Sequence, residues 1–179
     1  GDVLLKESVA IDAGDDAVML SDKLSKKGAE SLFKAIELIK ANKADFIKQD
    51  HSKATFAPKL KKDDGLIDWK MGAEEISNRI RAFAPWPGCF TYLDKKMLKI
   101  WKASVVTESD SVSRLSRRLT ESDGFKPGAI LKSDKTGILV KAGKGTLKIE
   151  ELQLEGSRRM TAEEFLAGHK QFSQGMTLS

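Results

Sequence analysis

With 179 residues, 40% of them hydrophobic and 32% charged, the chain has the composition of an ordinary soluble protein and the length for one or two domains with a buried core. No apolar run approaches the roughly 20 residues needed to cross a bilayer, and the start Gly1-Asp2-Val3-Leu4-Leu5 lacks the basic region and long apolar stretch of a secretory leader. The single cysteine, Cys89, excludes an internal disulfide and suits a reducing cytoplasm or organelle matrix, two distant histidines exclude a zinc-type spacing, and the net charge of +5 points weakly toward a polyanion.

Residues 3–11 read as a strand and 12–16 as a turn, in which Asp15 or Asp16 can cap a helix running to about Lys40. Leu20, Leu24, Leu32, Ile36 and Ile39 recur near helical spacing along it, and Asn42 is a plausible stop. A lone strand leaves its backbone groups without partners, so the chain is expected to begin inside a larger domain. From about 43 to 68 the pattern fades into a polar stretch too long for a compact-domain loop, which reads as an interdomain linker.

A second helix carries Glu74 and Glu75 in its first turn, where they suit the helix dipole. Its apolar stripe is Ala73, Ile76, Ile80 and Phe83, which leaves Arg79 to the side and Arg81 outward. The run Arg79-Ile80-Arg81-Ala82-Phe83-Ala84-Pro85-Trp86-Pro87-Gly88 then ends it in a stiff corner, because each proline bars the residue before it from helical geometry. Such a corner serves packing, and the indole of Trp86 is large enough to plug the end of a small barrel.

Beyond the corner the period changes to two. Strands are expected at 89–93, 97–106, 129–132, 138–142 and 146–152, with turns at 94–96, 134–137 and Gly143-Lys144-Gly145. Residues 107–126 are polar and irregular and hold Arg114, Arg117 and Arg118. Thr161 caps a short helix whose first turn has Glu163 and Glu164, and Gly175 breaks the tail. The fold class that follows is α+β, with a small open barrel of the OB-like Greek-key kind.

The residues offer no catalytic constellation. Gly143-Lys144-Gly145 is too short for a phosphate loop, Cys89 reads as a small core residue, Asp63-Asp64 as a turn, and His51 and His169 stand apart from any partner. The basic residues carry more information: Lys59, Lys61 and Lys62, then Arg79 and Arg81, then Lys95, Lys96, Lys99 and Lys102, then Arg158-Arg159. Lys99 and Lys102 are out of phase on a strand and share a face only if a bulge intervenes. A barrel groove lined by such residues would neutralise phosphates, whereas a merely solvated basic surface would not.

Several motifs together carry a family resemblance. They are Ala54-Thr55-Phe56-Ala57-Pro58-Lys59-Leu60, Asp64-Gly65-Leu66-Ile67-Asp68-Trp69, Ala73-Glu74-Glu75-Ile76, and Ile80-Arg81-Ala82-Phe83 with Pro85-Trp86-Pro87-Gly88. Leu98-Lys99-Ile100-Trp101-Lys102-Ala103, Pro127-Gly128-Ala129-Ile130-Leu131 and Leu152-Gln153-Leu154-Glu155-Gly156-Ser157-Arg158-Arg159-Met160 continue the series. In that order they resemble methionyl-tRNA formyltransferase. The resemblance implies that 1–42 are the last strand and helix of a Rossmann-like formyltransferase domain, 43–70 the linker, and 71–179 a helix plus an OB-like tRNA-binding domain.

Gly1-Asp2-Val3-Leu4 looks like the end of the family's Asp-Thr-Gly-Asp-Met/Val-Leu motif, which puts the catalytic aspartate just before Gly1 and carries no catalytic residue into this chain. The implied reaction moves a formyl group from 10-formyltetrahydrofolate, whose pocket would lie upstream, to the amino group of initiator Met-tRNA, with no metal, no membrane and a monomeric parent. Phosphate contacts are expected from Lys59, Lys61, Lys62, Arg81 and Lys102. A relative acting on a nucleotide sugar or on formyltetrahydrofolate without tRNA is the alternative; the basic linker and the Glu155-Gly156-Ser157-Arg158-Arg159-Met160 stretch favour the tRNA enzyme. Two departures from the family stand out: 107–126 is longer than its counterpart, and Ala84 replaces a common asparagine.

Overall fold

In the computed structural model, which describes residues 1–107, 124–169, 172 and 174–179, the chain forms two units, Gly1–Leu60 and Lys61–Ser179. The division falls inside the polar stretch 43–70. The expected Arg114–Arg118 cluster lies outside the described residues.

In the first unit the Asp16 side chain accepts from the Met19 N–H and opens helix α1, Ala17–Lys40. Asn42 ends it: its φ of +52° is one that asparagine tolerates, and it lets the Lys43 N–H return to the Leu38 carbonyl at 2.9 Å. No residue of α1 is buried, and the stripe residues Leu24, Leu32 and Ile39 are all more than half exposed. Residues 3–11 do not form the expected strand. They make one antiparallel bridge, Val3 with Ile47, because a strand exists only where a partner pairs with it and the segment around Ile47 supplies a single rung. Ion pairs tie the segment and the turn after it to α1 instead: Lys34 reaches Glu7 of the segment at 2.9 Å, and Lys23 bridges Asp12 and Asp15 of the turn at 2.6 Å each. The hydrogen bond from Lys34 holds the Glu7 carboxyl below the usual carboxylate range.

The second unit is built on one antiparallel sheet. Its strands are β1 Cys89–Leu93, β2 Lys96–Val105, β3 Ile130–Asp134, β4 Gly137–Lys141, β5 Thr146–Leu154 and β6 Met160–Thr161. They run in the order β1-β2-β5-β4-β3, with β6 added to β5. Asp94 and Lys95, both at positive φ, make the two-residue turn between β1 and β2. The Gly143-Lys144-Gly145 stretch is likewise a hairpin turn, between β4 and β5. Residues 175–179 then bridge the two ends of this path. The Ile130 N–H donates to the Met176 carbonyl at 2.8 Å, while the Tyr92 N–H and carbonyl pair with Ser179 at 2.7 and 3.0 Å.

Helix α2, Ala73–Ala82, lays Ala73, Ile76 and Ile80 into the core with Leu98, Ile100, Leu147, Ile149 and Leu152 of the sheet. Helix α3, Ala162–Gly168, starts with a reciprocal cap between Thr161 and Glu164 and buries Phe165. Trp86 does not plug this core. Trp69, 5% exposed, joins Ile76 and Ile80 inside, and Phe83 packs at the core's margin, so the indole of Trp86 stays outside at 57% exposure. No helix among the described residues is long and apolar enough to cross a membrane.

Candidate nucleic-acid interface

The lysines of the polar stretch stand in the open. Lys59 lies in the first unit, whereas Lys61 and Lys62 open the second, at the start of a 3-10 turn, Lys62–Gly65. All three are exposed, and none of their side chains has an ion-pair partner among the described residues. The turn is held by the Asp64 carboxylate, which accepts the Lys61 N–H at 2.7 Å. Arg79 ties it to α2 by donating to the Asp64 carbonyl oxygen at 2.6 Å. Lys61 and Lys62 are therefore fixed to the helix that carries Arg81. Arg81 itself donates to Asn78 Oδ1 at 2.7 Å on the outer side of α2, as its phase predicts.

Lys102 belongs to a second group, on the outer face of the sheet. Leu98 and Ile100 point into the core, and so do Ala103 and Val105. The step from Ile100 to Ala103 is three residues rather than two, so one extra residue must point outward. The register shows how: β2 passes from Ile100 opposite Leu152 to Lys102 opposite Glu151, and Trp101 is left opposite no residue. This is the bulge on which the shared face of Lys99 and Lys102 depended.

The bulge also presents Trp101. Its indole N–H donates to Gln153 Oε1 at 3.0 Å, and Gln153 in turn donates to the Ser157 carbonyl at 2.8 Å. Lys99 Nζ stands 5.7 Å and the Arg159 guanidinium 4.9 Å from the ring centroid, both within cation–π reach. Arg159 is paired with Glu151 at 2.6 Å and Lys102 with Glu150 at 3.4 Å. Next to them Arg158 bonds Glu164 at 2.7 Å and, ahead of the Thr161 N–H, holds that carboxyl below its usual range. Sequence reasoning counted Lys99 and Arg159 as basic residues but did not single out Trp101; the signal was the phase conflict between Lys99 and Lys102.

Other features are ordinary. Cys89 is buried, and burial pushes its thiol up to about 11 against the opposing charge of Arg79. His169 stacks on Phe165 with centroids 4.2 Å apart, its Nδ1 2.9 Å from the Phe165 carbonyl. A cleft of about 630 Å³ beside the N-terminus of α2 is lined by Glu74, Glu75, Asn78, Arg79 and Lys144 among others, a mixture of both charges. Among the described residues no group of three or more His, Cys, Asp or Glu side chains is placed to hold a metal ion.

Comparison with known proteins places this architecture. The chain is 44% identical over 168 residues to a methionyl-tRNA formyltransferase of Geobacter metallireducens, covering 94% of this chain and 49% of the relative. It is 46% identical over 169 residues to one of Caldanaerobacter subterraneus, covering 94% and 50%. The chain thus spans about half the length of the curated relatives it matches. The fold is shared with HypX from Aquifex aeolicus, at a TM-score of 0.64 and 15% identity, over 98% of this chain and 29% of HypX. A HypX structure in complex with tetrahydrofolic acid matches at a TM-score of 0.55 over 82% of this chain and 24% of that one. Residues 59–170, which include the sheet, both of its helices and the bulge at Trp101, match the family described as formyl transferase, C-terminal domain, and the chain belongs to that family.

Proposed function

We propose that the chain is the tRNA-holding part of a methionyl-tRNA formyltransferase. On this reading 71–179 form an OB-like tRNA-binding domain, 43–70 a linker, and 1–42 the end of a Rossmann-like catalytic domain. The formyl group comes from 10-formyltetrahydrofolate, and neither the folate pocket nor any bond-making residue lies within this chain. The parent is a monomeric enzyme of the bacterial cytoplasm or an organelle matrix. The chain's own contribution is orientation: gripping the RNA backbone holds the aminoacyl end near a site elsewhere and removes part of the entropic barrier to reaction.

The observation that carries this reading is the 44–46% identity to proteins named methionyl-tRNA formyltransferase, joined to the exposed Lys59, Lys61 and Lys62. Arg81 and Lys102 are the further phosphate contacts proposed. Both already have partners in the protein, Asn78 and Glu150, which a phosphate would displace. Grip through shape and phosphate, with little base reading, suits an RNA helix, whose deep major groove side chains do not read.

The test is a salt titration of initiator tRNA binding to the 179-residue chain. Affinity should fall steeply with salt, and replacing Lys59, Lys61 and Lys62 together by alanine should lower the slope of log affinity against log salt by about 2 to 3. A flat titration would remove the basic-grip reading. The same chain should show no formyl transfer to Met-tRNA; measurable formylation by it would overturn the division of labour.

A further inference from the structure

We infer that Trp101, with Lys99 and Arg159, is a stacking platform for one unpaired nucleotide of the bound RNA, an inference that rests on the RNA-holding role proposed above. The geometry points to this in four ways. The indole is large and apolar, yet it contributes nothing to the core cluster and sits on the outer side of the sheet. It is there because of the bulge: without the extra residue between Ile100 and Ala103, Trp101 and Lys102 could not both face outward. The ring is pinned, since Gln153 holds its N–H and Ser157 holds Gln153, so little freedom is lost when a ligand docks. Finally, the half-buried ring has Lys99 and Arg159 over it, and Lys99 has no carboxylate partner among the described residues, so a base can reach the indole by moving the Lys99 side chain aside or can stack on the Arg159 plane.

Those properties match a nucleotide better than a protein side chain. A base has a flat π-face that stacks on an indole or on a guanidinium plane, and its phosphates lie within reach of cations placed around the ring. The cations of the Arg159 and Lys102 ion pairs are 51% and 63% exposed, although their Glu151 and Glu150 partners are half-buried, so a phosphate can reach each cation from the solvent side. A base inside a continuous duplex offers no free face. The ligand is therefore a nucleotide in a loop, a bulge or a single-stranded end.

The experiment compares initiator tRNA with a fully paired RNA duplex as ligands of the 179-residue chain, wild type and variants. Trp101→Leu should weaken tRNA binding roughly ten- to hundred-fold with the salt slope unchanged, and leave duplex binding nearly as it was. Trp101→Phe should keep most of the affinity. Arg159→Lys, which keeps the charge and loses the planar guanidinium, should weaken tRNA binding in the same direction and serves as the second variant should Trp101→Leu melt early. Lys99→Gln should instead lower the salt slope by about 1. Wild-type tRNA affinity in folded Trp101→Leu, or an equal loss on tRNA and duplex, would overturn the platform while leaving the RNA-holding role intact. No tRNA binding by the wild type would overturn both.

Discussion

Thr91 and Ser179 are joined by a hydrogen bond of 3.0 Å from the Thr91 hydroxyl to the Ser179 carbonyl oxygen, and the same hydroxyl accepts the indole N–H of Trp69 at 3.0 Å. One fully buried oxygen thus connects β1, the closing tail and the residue that leads into α2. Thr91→Ala should cost about 1 to 3 kcal/mol, because it leaves the buried Trp69 N–H without a partner and loosens the tail at once. Urea unfolding of the variant checks this, and an unchanged midpoint would count against the linking role.

Gly143 packs directly on the backbone of Lys70. A Cβ placed there would lie 1.8 Å from the Lys70 carbonyl oxygen, and the Gly143 N–H is already held by the carbonyls of Trp69 and Met71 at 2.8 and 2.9 Å. Neither side can give without breaking the contact between the β4–β5 turn and the entry to α2. Gly143→Ala should therefore destabilise the second unit by about 2 kcal/mol or more. Gly28→Ala, at an open position of α1, should instead strengthen that helix by up to about 1 kcal/mol. Thermal melts of the two variants moving in the same direction would contradict the argument.

Cys89 is 2% exposed, and burial pushes its thiol up to about 11. The native protein should be inert to a disulfide reagent at pH 8 and react fully once unfolded. Because the folded value is raised, the thiol's contribution to stability is whole below the ordinary thiol value of 9.0 and is lost as pH climbs through about 11. Cys89→Ala should remove that alkaline loss, which pH-dependent urea midpoints would reveal.

Trp69 and Trp86 should respond oppositely to truncation. Trp69 is 5% exposed and within the core, so Trp69→Ala should cost about 3 to 5 kcal/mol. Trp86 is 57% exposed, and Trp86→Ala should change stability by no more than about 0.5 kcal/mol. Iodide should quench the Trp86 emission in the folded state, and a Trp86→Ala protein with the wild type's quenching would argue that the indole is inside.

The sequence by itself determined what depends on neighbours along the chain. A cap at Asp15 or Asp16, the cap at Thr161, a turn within 94–96 and the Ala73, Ile76, Ile80 stripe are short-range events, settled within one or two turns of backbone, and the structure selects Asp16 and the Asp94-Lys95 pair. Motif order likewise sufficed to identify the family. Tertiary structure alone decided the rest, because the partners are remote in sequence. Residues 3–11 read as a strand from their Val, Leu and Ile content, but a strand needs a second one, and only Ile47 answers. Trp86 lost the core to Trp69, 17 positions earlier by residue number, since both were apolar enough and only packing could choose. The phase conflict of Lys99 and Lys102 hinted at a bulge, but only the pairing with β5, where Leu152 opposes Ile100 and Glu151 opposes Lys102, fixes it at Trp101 and brings the two lysines to one face.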